Sequence, residues 1–117
     1  MNITWNKCQG EVWGHLNRVD LSHGHFDRME GVYVIWHGGP DPKTVRVGQG
    51  IIKDRLAAHR NDPDIQAHSA KELFVTWAAV AASARDGVEA FLAEALKPLV
   101  GDRFPDVAPV AVNLPWA

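Results

Sequence analysis

The longest unbroken run of strand-forming side chains is Gly31–His37, GVYVIWH, where Val32, Val34 and Trp36 alternate with Tyr33 and Ile35. Large apolar groups at both phases of a two-residue period predict a strand buried on both faces. Gly38-Gly39-Pro40-Asp41-Pro42 stops it with a turn, and a second strand over Thr44–Gln49 follows closely enough for an antiparallel hairpin. A register that sets His37 opposite Thr44 also sets Tyr33 opposite Gly48, with Ile35 and Arg46 on the same face.

From Ile51 to Arg60 the period becomes helical, with Gly50 in the N-cap position and Asn61-Asp62-Pro63 as the stop. Around that helix Ile51, Ile52 and Leu56 fall at about 0°, 100° and 140°, and Arg55 and His59 at about 40° and 80°, inside the apolar stripe. An arginine there either lays its stem on the core and lifts its head to the rim, or has its guanidinium held at a partly buried anionic site. Leu73–Val80 predicts a third strand. A last helix starts at Ser83 or Asp86, shows Val88, Phe91, Leu92, Ala95, Leu96 and Leu99 on one face, and is ended or kinked by Pro98. Glu94 lies at one edge of that stripe and Glu89 on the other flank. The segment holding Pro105, Pro109 and Pro115 predicts an irregular cover, and Glu11–Leu16 a strand or short helix.

With 117 residues, 46% hydrophobic and 22% charged, the chain has the proportions of one domain. Cys8 is the single cysteine, which excludes an intramolecular disulfide framework or a multi-thiolate zinc site and makes the cytoplasm the expected compartment. The most apolar stretch, Leu73–Ala84, is shorter than the roughly 20 residues of a spanning helix, and no apolar leader occupies the first thirty residues, so no membrane is expected. Net charge is −2, which argues against a general polyanion binder, yet the stretch Lys43–Arg60 carries Lys43, Arg46, Lys53, Arg55 and Arg60 against Asp54 alone. One basic face is expected.

In order along the chain, Gly31-Val32-Tyr33, Arg46-Val47-Gly48, the helix around Arg55, Glu94-Ala95-Leu96 and Asn113 in Val112-Asn113-Leu114 resemble the motifs of the GIY-YIG nuclease family. The likeness covers about residues 31–113, with 1–30 as an N-terminal extension. It implies an α/β (α+β) fold with a small three-stranded antiparallel sheet flanked by helices. It also implies a metal-dependent endonuclease that hydrolyses nucleic-acid phosphodiesters, DNA first, with Mg²⁺ or Mn²⁺. By the resemblance, Tyr33 corresponds to the tyrosine that activates or positions water, Arg55 to the arginine beside the scissile phosphate, Glu94 to the metal ligand, and His68 to the variable tyrosine or histidine after the arginine helix. Arg46, Gly48, Lys53, His59 and Asn113 complete the substrate-binding set, and His59 also reads as a packed or hydrogen-bonded imidazole.

These roles make physical sense. Attack on a phosphodiester gathers negative charge on the nonbridging oxygens, which a fixed guanidinium and a divalent cation stabilise, while a phenol or imidazole relays the proton of the attacking water. A single carboxylate suits Mg²⁺, which keeps most of its waters. The departure lies at Arg46, where the family has its second tyrosine: a permanent cation cannot be a base, although it can hold phosphate. The alternative is therefore a catalytically impaired module that binds nucleic acid or a protein partner. A more distant one is a transition-metal site among His15, His23 and His25 with Asp20 and Asp27, for which His23-Gly24-His25 as a polar turn is the rival. Trp5, Trp13, Trp36, Trp77 and Trp116 are scattered in sequence and read as core packing before base stacking.

Overall fold

The computed structural model describes residues 1–101 and 103–116. Its elements are β1 (Gly14–His15), β2 (Glu30–His37), β3 (Lys43–Ile51), α1 (Ile52–His59), α2 (Pro63–Gln66), β4 (Leu73–Ala79) and α3 (Ala82–Leu96). The strands form one antiparallel sheet in the order β1-β4-β2-β3, making an α+β fold. The three long strands fall where the hydrophobic pattern puts them. The expected three-stranded sheet is corrected to four, because the N-terminal segment adds two residues of ladder to the outer edge of β4, pairing Gly14 with Val75 and His15 with Phe74.

Burial on both sides explains the unbroken apolar character of β2. Tyr33 and Ile35 enter a core with Val45, Ile52, Leu56, Ile65, Val75 and Trp77, covered by α1, α2 and the N-terminal segment. Val32 and Val34 enter a second core with Val47, Ala78, Val88 and Leu92, covered by α3 and closed by Val112. Close approach makes Gly31 necessary, since a Cβ there would run into the backbone of Ala78 and Val80 on β4.

The hairpin register holds from Glu30↔Ile51 to Ile35↔Arg46, including Tyr33↔Gly48, and then slips by one residue. Val45 is the extra residue of a β-bulge, so Trp36 rather than His37 faces Thr44, and His37 faces Lys43. The bulge lets Val45 enter the same core as Tyr33 and Ile35 while Arg46 stays opposite Ile35.

Ile51 still pairs with Glu30, so the strand takes up the expected first helical residue, and Ile51 rather than Gly50 is the N-cap of α1. Asp-Pro does more than stop α1. Asp62 Oδ1 accepts from Asp64 N at 2.9 Å and Pro63 takes the first helical position, which starts α2. α3 begins at Ala82, ahead of the expected Ser83 or Asp86, since the alanines there favour helix, and it ends at Leu96 with Lys97 left-handed (φ 48°) before Pro98. The segment after it returns along the free edge of β3: Leu99 N donates to Thr44 O at 3.1 Å and Val100 N to Val45 O at 2.8 Å. Among the described residues no helix is long and apolar enough to cross a membrane.

Candidate functional site

At the middle of the β2–β3 ladder the Tyr33 ring lies over Gly48, where any Cβ would overlap the phenol. Gly48 therefore seats the tyrosine. The phenol oxygen reaches across the core to His59 Nε2 on α1 at 2.5 Å. Tyr33 is 0% exposed and His59 is buried beside it. Burial pushes the Tyr33 pKa up, opposed by hydrogen bonding and charge from Arg55 and by the charge of Arg46. Burial also takes His59 down to about 4, helped by Arg55 and Arg46 and opposed by Asp62. At neutral pH the pair is a neutral phenol against a neutral imidazole.

Two guanidiniums carry charge to this pair. Arg55 is half-buried, its stem packs on Gly50, and its charge lies close enough to the phenol to oppose the rise of the Tyr33 pKa. Arg46 comes from β3 to the same place and lies against Gly101 and the Phe104 ring, with its guanidinium carbon 6.0 Å from the ring centre. It lines a cleft of about 660 Å³ with Asp62, Asp64, Leu99, Val100 and Gly101. Among the described residues neither arginine is in a salt bridge, and the buried Arg46 Nε has no hydrogen-bond partner. A buried unpaired donor on a fixed charge is a group that an anion can satisfy.

The buried carboxylate that feels both arginine charges is Glu89, on α3, which packs on the opposite face of the sheet from Tyr33 and His59. It is 8% exposed on α3, and burial raises its pKa against a hydrogen bond from Gln49 and the charges of Arg46 and Arg55, while Asp86 pushes it further up. Gln49 Nε2 also donates to Asp86 Oδ1 at 2.7 Å, tying β3 to the first turns of α3. Glu94 is exposed and takes no part in these contacts. Helical geometry gives the reason: measured from the buried Leu92, Glu89 is turned by about 60° and Glu94 by about 160°.

The remaining expected site residues lie elsewhere. His68 stacks on His37, ring centres 5.6 Å apart, at the far end of β2. Lys53 is exposed on α1, and Arg60 is spent on Leu16 O and Val19 O, so only two of the five cations in the basic stretch converge. Asn113 binds the N-terminal segment: its Oδ1 accepts from Ile3 N at 2.7 Å and its Nδ2 donates to Ile3 O at 3.0 Å. The N-terminal histidines are likewise engaged, His25 Nε2 accepting from Trp77 Nε1 at 2.9 Å and His23 Nδ1 from His25 N at 3.0 Å, while His15 packs on Phe74. Among the described residues no three potential ligands gather for a metal.

No protein-family model, curated protein or solved structure matches the chain. Its chemistry rests on its own geometry. That geometry sets Tyr33 of β2 against His59 of α1, with the charges of Arg46 from β3 and Arg55 from α1 bearing on both, and Glu89 of α3 on the other face of the sheet.

Proposed function

We propose that the chain is a GIY-YIG-like phosphodiesterase acting on nucleic acid, DNA first, with Mg²⁺ or Mn²⁺ as cofactor. The observation that carries this is the pair of arginines whose charges bear on one buried phenol, neither in a salt bridge among the described residues, with the buried Arg46 Nε unpaired. A phosphate group would supply the acceptor that Arg46 Nε lacks.

Glu89 is the residue that would hold the cation. One buried carboxylate fits Mg²⁺, which needs few protein ligands, and does not fit zinc, which needs three or four. Bound there, the cation would supply Lewis-acid stabilisation of the developing phosphate charge and a more acidic water. The chain's own groups handle the proton. An arginine has only donors, so the Tyr33 oxygen can accept from a guanidinium while its own hydrogen goes to His59 Nε2 of the neutral imidazole. His59 is held a weak base first by burial and then by the charges of Arg55 and Arg46; a phosphate docked beside the arginines would offset the second contribution and leave the first.

A second reading, a module of the same fold that binds nucleic acid without cutting it, is favoured by two observations. Tyr33 is 0% exposed, and Arg46 stands where the family has a second phenol. A cation there strengthens ground-state binding more than it helps the transition state.

Incubation with nicked or branched duplex DNA and Mg²⁺ separates the two. For the phosphodiesterase, Glu89→Gln abolishes cleavage, Glu94→Gln leaves it, and Arg55→Ala slows it by about 100-fold or more. For the binding module, wild type binds with a strong salt dependence but does not cut, and Arg46→Tyr flattens the salt slope by about 0.9. Equal cleavage by Glu89→Gln and wild type overturns the metal assignment, and absence of binding at low salt overturns both readings.

A further inference from the structure

On the opposite face of the sheet, the register lines up Thr44, Trp36, Phe74 and His15 as one cross-strand row over all four strands. The row lies where α3 has ended, so its aromatic rings are only half-buried. Trp36 is the hub. Trp13 meets it edge-on at 5.4 Å and 88°, Trp116 at 4.8 Å and 62°, and Phe74 lies nearly parallel at 5.8 Å and 20°. Tryptophans far apart in sequence thus form a floor with two walls, bordering a groove of about 720 Å³.

Among the described residues the lining of this groove includes Lys43 and Lys97 and no carboxylate, in a chain whose net charge is −2. The Lys43 ion pair with Asp41, at 3.5 Å between exposed side chains, is too weak to neutralise it. Lys7 adds a third cation 4.5 Å over the Trp13 ring. A cationic ligand would be repelled, and a plain apolar segment would leave the lysines uncompensated. Flat π-faces beside fixed cations are the two requirements for unpaired bases joined by phosphates. Leu99 borders this groove on one side and the Arg46 cleft on the other, so the two adjoin across the chain that covers the β3 edge.

We propose that the Trp13–Trp36–Trp116 groove binds a single-stranded segment of nucleic acid by base stacking, beside the phosphate held at Arg46 and Arg55. The proposal rests on the nucleic-acid reading above and names the form of substrate: one with an unpaired stretch.

The test is fluorescence anisotropy without divalent metal, comparing a labelled oligothymidylate of about 12 nucleotides with an abasic deoxyribose-phosphate strand of equal length. Wild type should prefer the strand with bases by about 5-fold or more. Trp116→Ala should remove most of that preference while Lys43→Glu weakens both strands alike. Trp116 is 37% exposed, so its removal leaves both cores intact, which circular dichroism verifies. Equal affinity for the two strands, an unchanged preference in Trp116→Ala, or polyglutamate binding as tightly as the oligonucleotide overturns the proposal. Metal-dependent cleavage lost in Glu89→Gln but indifferent to unpaired bases would leave the phosphodiesterase standing and this inference fallen.

Discussion

A methyl group at position 48 would occupy the space of the Tyr33 phenol, which makes residues 33 and 48 one unit across the ladder. Gly48→Ala should cost roughly 1–3 kcal/mol by overpacking. Combined with Tyr33→Leu it should cost less than the two singles together, because the shorter side chain vacates the clash. Urea denaturation of the four proteins checks this, and strict additivity would mean that the ring has another resting place. His59 carries a pH signature. Its pKa falls from 6.5 to about 4 on folding, so above pH 6.5 folded and unfolded chains are both neutral there. Between about 6.5 and 4 only the unfolded chain takes the proton, and stability is lost as pH falls through that window. Glu89 acts with the opposite sign: its raised pKa favours the fold at low pH, and that contribution is lost as pH rises through the raised value. The His59→Gln variant isolates the imidazole, since it keeps the Glu89 contribution. Wild type should lose more stability than His59→Gln between pH 7 and pH 4.5, and parallel denaturation curves would refute the burial of a neutral imidazole.

At the scale of elements, the three long strands and both long helices were legible because each buries a stripe with a clean period. β2 shows this best, with apolar groups at both phases matching the two cores. The Tyr33–Gly48–Arg46 geometry followed from a register fixed by that burial. What escaped was whatever depends on a single residue of offset or on contacts distant in sequence. The bulge at Val45 has no local marker, and Gly14–His15 becomes a strand only because β4 offers an open edge. Glu89 and Glu94 flank the apolar stripe of α3, and their angles to Leu92, computable from spacing alone, already separate the buried carboxylate from the exposed one. The tryptophan cluster was illegible in principle: residues 13, 36 and 116 meet only through the sheet order and the returning tail.

For the whole molecule, charge is distributed by use and not by sequence block. Of the cations between Lys43 and Arg60, Arg46 and Arg55 bring their charge to the buried phenol, Lys43 lines the aromatic groove, Arg60 ties α1 to the backbone at Leu16, and Lys53 faces solvent. The pairing around Asn113 has a consequence of another kind. Its amide clasps Ile3, its carbonyl accepts from Trp5 Nε1 at 2.9 Å, and the Met1 amine donates to Ala111 O at 3.2 Å. Topologically the backbone is a ring with one seam, and the seam can be moved. A circular permutant that joins the two ends through a short flexible linker and opens at the exposed turn Gly39–Pro40 should fold with the same cores, because no strand or helix is cut. Thermal melting and backbone amide exchange decide it: protection of β2 and β4 comparable to the parent shows that chain order is incidental to this fold, whereas loss of protection in β2 would show that the Gly38–Pro42 turn must form first to set the hairpin.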